Sequence, residues 1–468
     1  MSRAAAPVSL VRGLGLLAAT AMVVGDVIGT GVFLKARVMT CNVDSAGMVV
    51  TVWIVAGLLS LAGALTYAEL AVLMPRAGGE YVFIRDAYGR LWGFLYGWTR
   101  FFVASSGGLA GLAAGFAIFL NIASGGLLQA HALVLPLGGR DISIGAVTLV
   151  ASASILLVTL VNCAAVTVGG RIAAVMATLK VALVLGVGLG AFLLADGNWG
   201  HYAMTAAGGA CEGVPAAARG GLAGFGAAML GAMWAYNGWN EVTYVAGEVK
   251  DPGRNLPRAM IGGIGIIAGL YVFANVAYFY VLTPLAVAGI SPASAVATEV
   301  VGQFLGPATA GVMAAALAMS IFGSLQIVAL VSARIPYAMA ADGLFFSSLA
   351  RLSPRTRVPV RALWVQAAWA IVLVFSGSYD TITDYAIFAV LIFVVLATAS
   401  VFVFRRRLPD AARPYRTLGY PVVPILFMIV ATCIIANTLV TTPDRALAGV
   451  ALMVLGLPFY WYWSRHPA

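Results

Sequence analysis

Three places in this chain set polar chemistry inside long apolar runs. The first is Gly25-Asp26-Val27-Ile28-Gly29-Thr30-Gly31-Val32-Phe33, where an acid and three glycines interrupt an otherwise apolar stretch. The second is Trp234-Ala235-Tyr236-Asn237-Gly238-Trp239-Asn240-Glu241, again polar and glycine-containing. The third is Lys180, set between Ala177-Thr178-Leu179 and Val181-Ala182. Glycine tolerates backbone dihedrals that cost other residues energy, so the first two are places where a helix can break. A break frees N–H and C=O groups, which must find partners inside the protein or on a ligand. The Lys180 ammonium costs at least roughly 2.5–3.5 kcal/mol at membrane depth, so it needs a partner. This is chemistry for holding a ligand rather than for making bonds. The three histidines, His131, His201 and His466, fall in loops or the tail, so no histidine-based dyad, triad or metal cluster sits at membrane depth. No GxxxxGK[ST] run offers a nucleotide-phosphate loop. We expect no enzyme, no metal and no cofactor.

The elements that must position these residues are membrane helices. The chain has 468 residues, 62% hydrophobic and 9% charged, against roughly 45–50% and 25% in soluble domains. So few charges could not cover a soluble body of this length, and disordered chains are poorer in apolar residues. The net charge of +10 is spread thinly between apolar runs, which speaks against a nucleic-acid partner. A window of about 20 apolar residues selects twelve stretches: 14–36, 46–73, 91–121, 143–163, 172–195, 222–248, 259–284, 306–338, 359–376, 381–404, 421–441 and 445–463. These runs are too long for barrel strands, so the expected class is an all-α integral membrane protein surrounded by lipid.

With the N-terminus cytoplasmic, about 20 basic residues fall in inner segments, in keeping with the positive-inside rule. Only Lys35, Arg37, Arg140, Arg219 and Arg445 fall in outer ones, while Arg100 and Lys180 lie within spans. Both termini are expected inside. No cleavable signal peptide is evident. The four cysteines show no metal-type spacing; Cys41 and Cys211 both fall in outer segments, which permits a disulfide without favouring one. Glycines between Gly107 and Gly115, or between Gly186 and Gly190, read as close helix packing. Breaks in the first and sixth spans are what two inverted five-helix repeats would place at equivalent positions.

At these residues the chain resembles the amino acid–polyamine–organocation superfamily, in particular bacterial relatives of the L-type amino acid transporters. The resemblance covers nearly the whole chain. It rests on GDVIGTGVF from Gly25, YAELAVLMPRAGGEYVFIRDAYG from Tyr67, WAYNGWNEVTYVAGEVKDPGRNLPRA from Trp234, SARIPYAMAADGLFF from Ser332 and RPYRTLGYPVVP from Arg413. It implies a LeuT-type fold of twelve spans with the first and sixth broken. A cytoplasmic N-terminus (1–13) would precede two inverted repeats (14–198 and 199–407), followed by two extra helices and the tail (408–468).

The resemblance also implies roles. The substrate carboxylate would sit on Gly29, Thr30 and Gly31. Ala235, Tyr236 and Asn237, with Gly238 at the break, would face the ammonium and part of the side-chain pocket. Trp234 would be an aromatic lid. Lys180 would stand where sodium-coupled relatives hold sodium, bridging the first break to Gly323 and Ser324 of the eighth span, so that transport would not need sodium.

Asp26 departs from the uncharged residue usual in the family. It fits a proton carrier, a partner of Lys180, a recognition group for a cationic substrate, or an acid satisfied by backbone donors. Glu241 is expected to help close the inner gate and Glu69 to make a structural or gating contact. Glu248, Lys250, Asp251, Arg254 and Arg258 read as a solvated salt-bridge cluster worth about 0–1 kcal/mol per pair. Asp380 and Asp384 carry no assignment. Asn237, where some cationic-substrate relatives have aspartate, favours neutral L-amino acids. No cysteine lies between residues 121 and 142, so no disulfide-linked heavy chain is expected. The expected function is a sodium-independent amino acid permease or exchanger of the cell membrane working by alternating access. Its rivals are proton-coupled uptake of cationic amino acids or polyamines, and a gated channel.

Overall fold

The computed structural model describes residues 9–129, 133–137, 140–207, 209–291, 294–376, 379–441 and 443–465. Arg3, His131 and His466 lie outside the described residues. Helices α1 (Leu16–Val27) and α2 (Gly31–Val43) make one stretch bent by 41° at the first glycine cluster. Helix α3 (Ala46–Leu73) is started by Ser45, whose hydroxyl accepts from the Met48 amide at 3.3 Å. After the short α4 (Glu80–Tyr88) come α5 (Arg90–Trp98) and α6 (Ser106–Ala123), joined through a π-helical turn at Thr99–Ser105. Then follow α7 (Ala146–Asn162), α8 (Val166–Leu194) and α9 (Gly221–Ala235), which stops at the second polar cluster and is succeeded by a 3-10 helix, Glu241–Glu248.

Helix α10 (Pro252–Val281) opens on a proline, whose missing amide would have had no helical acceptor there. The remainder is α11 (Pro284–Gly289), α12 (Val296–Leu305), α13 (Thr309–Ser332), α14 (Arg334–Ala341), α15 (Val360–Ser376), α16 (Tyr379–Arg407), α17 (Val422–Thr441), α18 (Pro443–Val454) and α19 (Leu457–Arg465).

Among the described residues, eight helical stretches are long and apolar enough to cross a membrane, nine with the bent α1–α2 pair. The expected stretches 143–163, 222–248 and 359–376 hold shorter apolar helices, α7, α9 and α15, of 17, 15 and 17 residues. The helical architecture carries one small addition that the sequence reading did not include. Strands β1 (Leu133–Leu137) and β2 (Arg140–Ile144) pair antiparallel between α6 and α7. The sequence places Gly138-Gly139 between two β-prone runs, a two-residue hairpin signal.

The helices pack in two groups. In one, α3 and α1 lie along α10, and α2 along α9. In the other, α6, α7, α13 and α15 share a separate apolar cluster built from residues such as Leu109, Ile155, Leu325 and Leu373. Helix α8 touches α1 and α10 on one side and α13 on the other.

The charged residues sort to opposite ends. At the basic end, Leu14 donates its amide to Glu248 O (2.9 Å) and accepts from the Lys250 amide (2.8 Å). There too, Glu69 holds Arg405 at 2.7 Å and Arg413 at 3.3 Å, and Tyr81 donates to Asp342 at 2.7 Å. At the other end Arg37 donates to Ile290 O and Glu212 O, both at 2.5 Å, and Asn42 donates to Ala218 O at 2.6 Å.

That second end also joins Cys41 to Cys211 in a disulfide, 170 residues apart, a pairing the sequence did not favour. The reason is tertiary: the end of α2 lies against the segment leading to α9, as the Asn42–Ala218 and Asp44–Ala206 contacts record. Maleimide labelling of the denatured protein should tag two thiols, Cys163 and Cys433, before reduction and four afterwards, read by intact mass. Four tags without reductant would disprove the bond.

Candidate functional site

The two interruptions meet at the middle of the molecule. After α1 the chain turns sharply, with the Gly29 amide on Val27 O at 2.8 Å. Helix α2 then starts at Gly31 with no capping bond from Thr30, so the amides of Thr30, Gly31 and Val32 have no acceptor within the helix. A methyl group at Gly31 would lie 2.5 Å from Ala235 Cβ, so the start of α2 rests directly on the end of α9. Beyond α9, Gly238 has φ +116°, a region that disfavours any side chain. A methyl there would also lie 2.8 Å from Asp26 Oδ2. Asp26, on the last turn of α1, therefore abuts the second break. Its Oδ2 is buried without a hydrogen-bond partner among the described residues.

Tyr271 of α10 stands between the breaks, its hydroxyl 2.9 Å from Val27 O and 3.1 Å from Ala235 O. Trp234 is 43% exposed, with Lys35 Nζ 4.6 Å from its ring centroid, a favourable cation–π distance. Asn237 is exposed, whereas Ala235 and Tyr236 are buried. The Tyr236 ring turns away into packing against Trp53 and Tyr271, and its hydroxyl donates to Trp53 O at 3.1 Å. What Tyr236 leaves at the break is its backbone.

Lys180 is fully buried on α8. Its Nζ donates to Gly25 O at 2.5 Å and to Ser324 Oγ at 2.6 Å, and Ser324 in turn donates to Gly25 O at 3.3 Å. A methyl at Gly323 would stand 2.9 Å from Lys180 Cε, which explains the small residue there. Lys180 and Asp26 form no ion pair among the described residues, so of the four options for Asp26 a direct Lys180 partnership is not the one seen. Burial of the ammonium is made tolerable by its two acceptors, as membrane depth requires.

Toward the basic end lies a cluster that the sequence did not signal. Glu80 is buried and accepts from Tyr67 and Tyr96 (both 2.6 Å) and from Asn240 and Tyr244 (both 2.9 Å). Beside it Arg100 pairs with Glu241, both buried. These contacts tie α3, α4, α5, the π turn and the 3-10 helix together just past the second break. Glu80 opens the short α4 and its tyrosines are scattered along the chain, so no spacing announces them.

The expected solvated charge cluster near residue 250 is corrected. Glu248 is fully buried and grips Arg334 through two bonds, 2.7 and 3.0 Å long. Lys250, Asp251, Arg254 and Arg258 make no ion pair among the described residues. The difference is direction: Glu248 ends the 3-10 helix facing α14, whereas Lys250, Asp251, Arg254 and Arg258 sit exposed around the start of α10.

Sequence comparison places this geometry among known proteins. The profile of the family described as "Amino acid permease" matches residues 14–457. The chain is 28% identical over 468 residues to the "Serine/threonine exchanger SteT" of Bacillus subtilis (strain 168), covering 98% of each protein. It is 30% identical over 469 residues to the "Large neutral amino acids transporter small subunit 2" of Homo sapiens, covering 98% of this chain and 82% of that one. It is 28% identical over 454 residues to the "b(0,+)-type amino acid transporter 1" of Mus musculus, covering 97% and 88%.

Proposed function

The chain belongs to the amino acid permease family, and from that premise we propose that it exchanges neutral L-amino acids across the cell membrane without sodium. Membership makes it a multi-pass amino acid transporter and not an enzyme. The observation that carries the sodium-independent reading is the Lys180 bridge from Gly25 O to Ser324 Oγ. A fixed ammonium already supplies the positive charge that the carbonyls at the end of α1 would otherwise draw from a cation. The names of two relatives, a serine/threonine exchanger and a large neutral amino acid transporter, support neutral substrates.

In this reading the amides of Gly29, Thr30 and Gly31 receive the substrate carboxylate. The backbone from Ala235 to Gly238 receives the ammonium, and Trp234 covers the pocket. The twelve stretches are twelve spans in two inverted repeats with both termini cytoplasmic. The group containing α1, α2, α3, α9 and α10 rocks against the group with its own apolar cluster around α6, α7, α13 and α15. The Arg100–Glu241 pair and the Glu80 cluster hold the cytoplasmic gate. No disulfide-linked heavy chain takes part.

A second reading, transport of cationic substrates with a proton, is favoured by one observation: the unpartnered Asp26 Oδ2 beside Gly238. Uptake into liposomes separates the two. With the purified protein preloaded with serine or leucine, labelled neutral amino acid should enter faster than into empty vesicles, and replacing sodium by choline should change nothing. Strict dependence on sodium would overturn the proposal. Arginine preferred over leucine, with a pH dependence abolished by Asp26→Asn, would establish the second reading. Flux indifferent to internal amino acid would point to a channel.

A further inference from the structure

A cavity of about 580 Å³ opens at the basic end, beside the first turns of α10 and well away from the two breaks. Its charged lining is Arg12, from the segment before α1, and Arg254 and Arg258 of α10, with Asp251 as the one carboxylate. Arg254 and Arg258 are four residues apart and so share one helix face. Pro414 and Tyr415, from the segment before α17, complete one wall. The three residues are exposed, and none of their guanidiniums has a hydrogen bond or ion pair with any described residue. Asp251, with φ 42°, precedes α10 but makes no capping bond, so the Gly253 amide also lacks a helical acceptor. Three unpartnered guanidiniums, exceeding the single carboxylate, converge on one concavity. Guanidinium forks match phosphate oxygens two at a time, and basic pockets at the cytoplasmic side of helix bundles suit phosphorylated headgroups.

We propose that this cavity binds a phosphoryl anion, supplied by an anionic phospholipid headgroup or by a soluble phosphate compound. That it faces the cytoplasm rests on the orientation proposed above; the binding itself does not. Arg12 lies two residues before Leu14, whose backbone pairs with Glu248 and Lys250, and Asp251 follows immediately. An anion held by Arg12 on one side and by Arg254 and Arg258 on the other therefore fastens the entry to α1 onto the segment between the 3-10 helix and α10. Occupancy keeps this end of the molecule closed.

The test uses the purified full-length protein in micelles containing phosphatidylcholine. Phosphatidylglycerol is titrated in one arm and inorganic pyrophosphate in the other, with thermal midpoint and amide exchange as readouts. At least one arm should raise the midpoint and slow exchange at the Leu14 and Lys250 amides. The triple variant R12Q/R254Q/R258Q should weaken the response about a hundredfold, and Arg258→Gln alone about fivefold, from roughly 1 kcal/mol per basic residue at an anionic surface. A response to lipid alone identifies a headgroup site, to pyrophosphate alone a soluble-ligand site, and to both a site for the phosphoryl group itself. No response in either arm, or an equal response in the triple variant, overturns the proposal. Because these readouts register binding and not transport, they stand apart from any failure of the neutral amino acid assignment.

Discussion

Lys180→Ala should lower exchange in liposomes by about 100-fold or more while the protein still inserts and purifies. The Lys180 ammonium makes two hydrogen bonds, to Gly25 O and Ser324 Oγ. Bonds involving a charged group contribute about 1.5–3 kcal/mol each, so losing both removes roughly 3–6 kcal/mol of linkage, more than enough for two decades in rate. The loss falls on transport because the bridge spans the two packed groups, joining the end of α1 to α13 through α8. Lys180→Arg should not rescue it. The charge is kept, but the wider guanidinium must fit where a methyl on Gly323 would already sit 2.9 Å from the lysine chain. Ser324→Ala, which leaves the Gly25 contact, should cost about tenfold, consistent with one such bond. Counterflow at saturating substrate reads all three, and wild-type turnover in Lys180→Ala would remove the bridge from the mechanism.

Breaking the Glu248–Arg334 pair should be the largest single blow to stability. Both side chains are essentially inaccessible, at 0% and 1% exposure, and are doubly bonded to one another. Removing one partner of such a pair costs about 3–5 kcal/mol, because the other charge is left buried and unpaired. Glu248→Gln and Arg334→Met should each lower the melting temperature of the detergent-purified protein sharply. The double variant E248M/R334M should be less harmful than either single change, since no uncompensated charge remains. A double variant as damaging as the sum of the singles would show that the pair acts through something other than charge.

Both predictions differ in how far the sequence announced them. Lys180 was visible because an ion inside an apolar run is costly anywhere in a bilayer, while its partners at the first break and Ser324 came only from the family resemblance. The Glu248–Arg334 pair was hidden. In sequence Glu248 sits among four other charged residues within eleven positions, and only folding reveals that it alone turns inward. Glu80 and Tyr271 were hidden for a related reason. A tyrosine or glutamate carries no periodic signature, and their partners come from helices far apart in the chain. The paired strands Leu133–Leu137 and Arg140–Ile144 escaped because a hydropathy window averages over segments this short. The Cys41–Cys211 bond escaped because pairing across 170 residues depends on tertiary proximity alone. What composition and spacing conveyed was the solvent, the class of fold and the places where helices stop. What they could not convey was which way each side chain points after stopping.

The hydroxyl of Tyr271 lies within bonding distance of a carbonyl from each break, yet a phenol has one proton to give. It can satisfy Val27 or Ala235 at any instant, never both. Val27 O also accepts the Gly29 amide at 2.8 Å, so Ala235 O is the carbonyl left open whenever the hydroxyl turns to Val27, and rotation about a single C–O bond changes that. An ammonium that took up Ala235 O would steer the proton to Val27 O. Two strands of backbone that share no covalent neighbour thus answer to the position of one hydrogen atom.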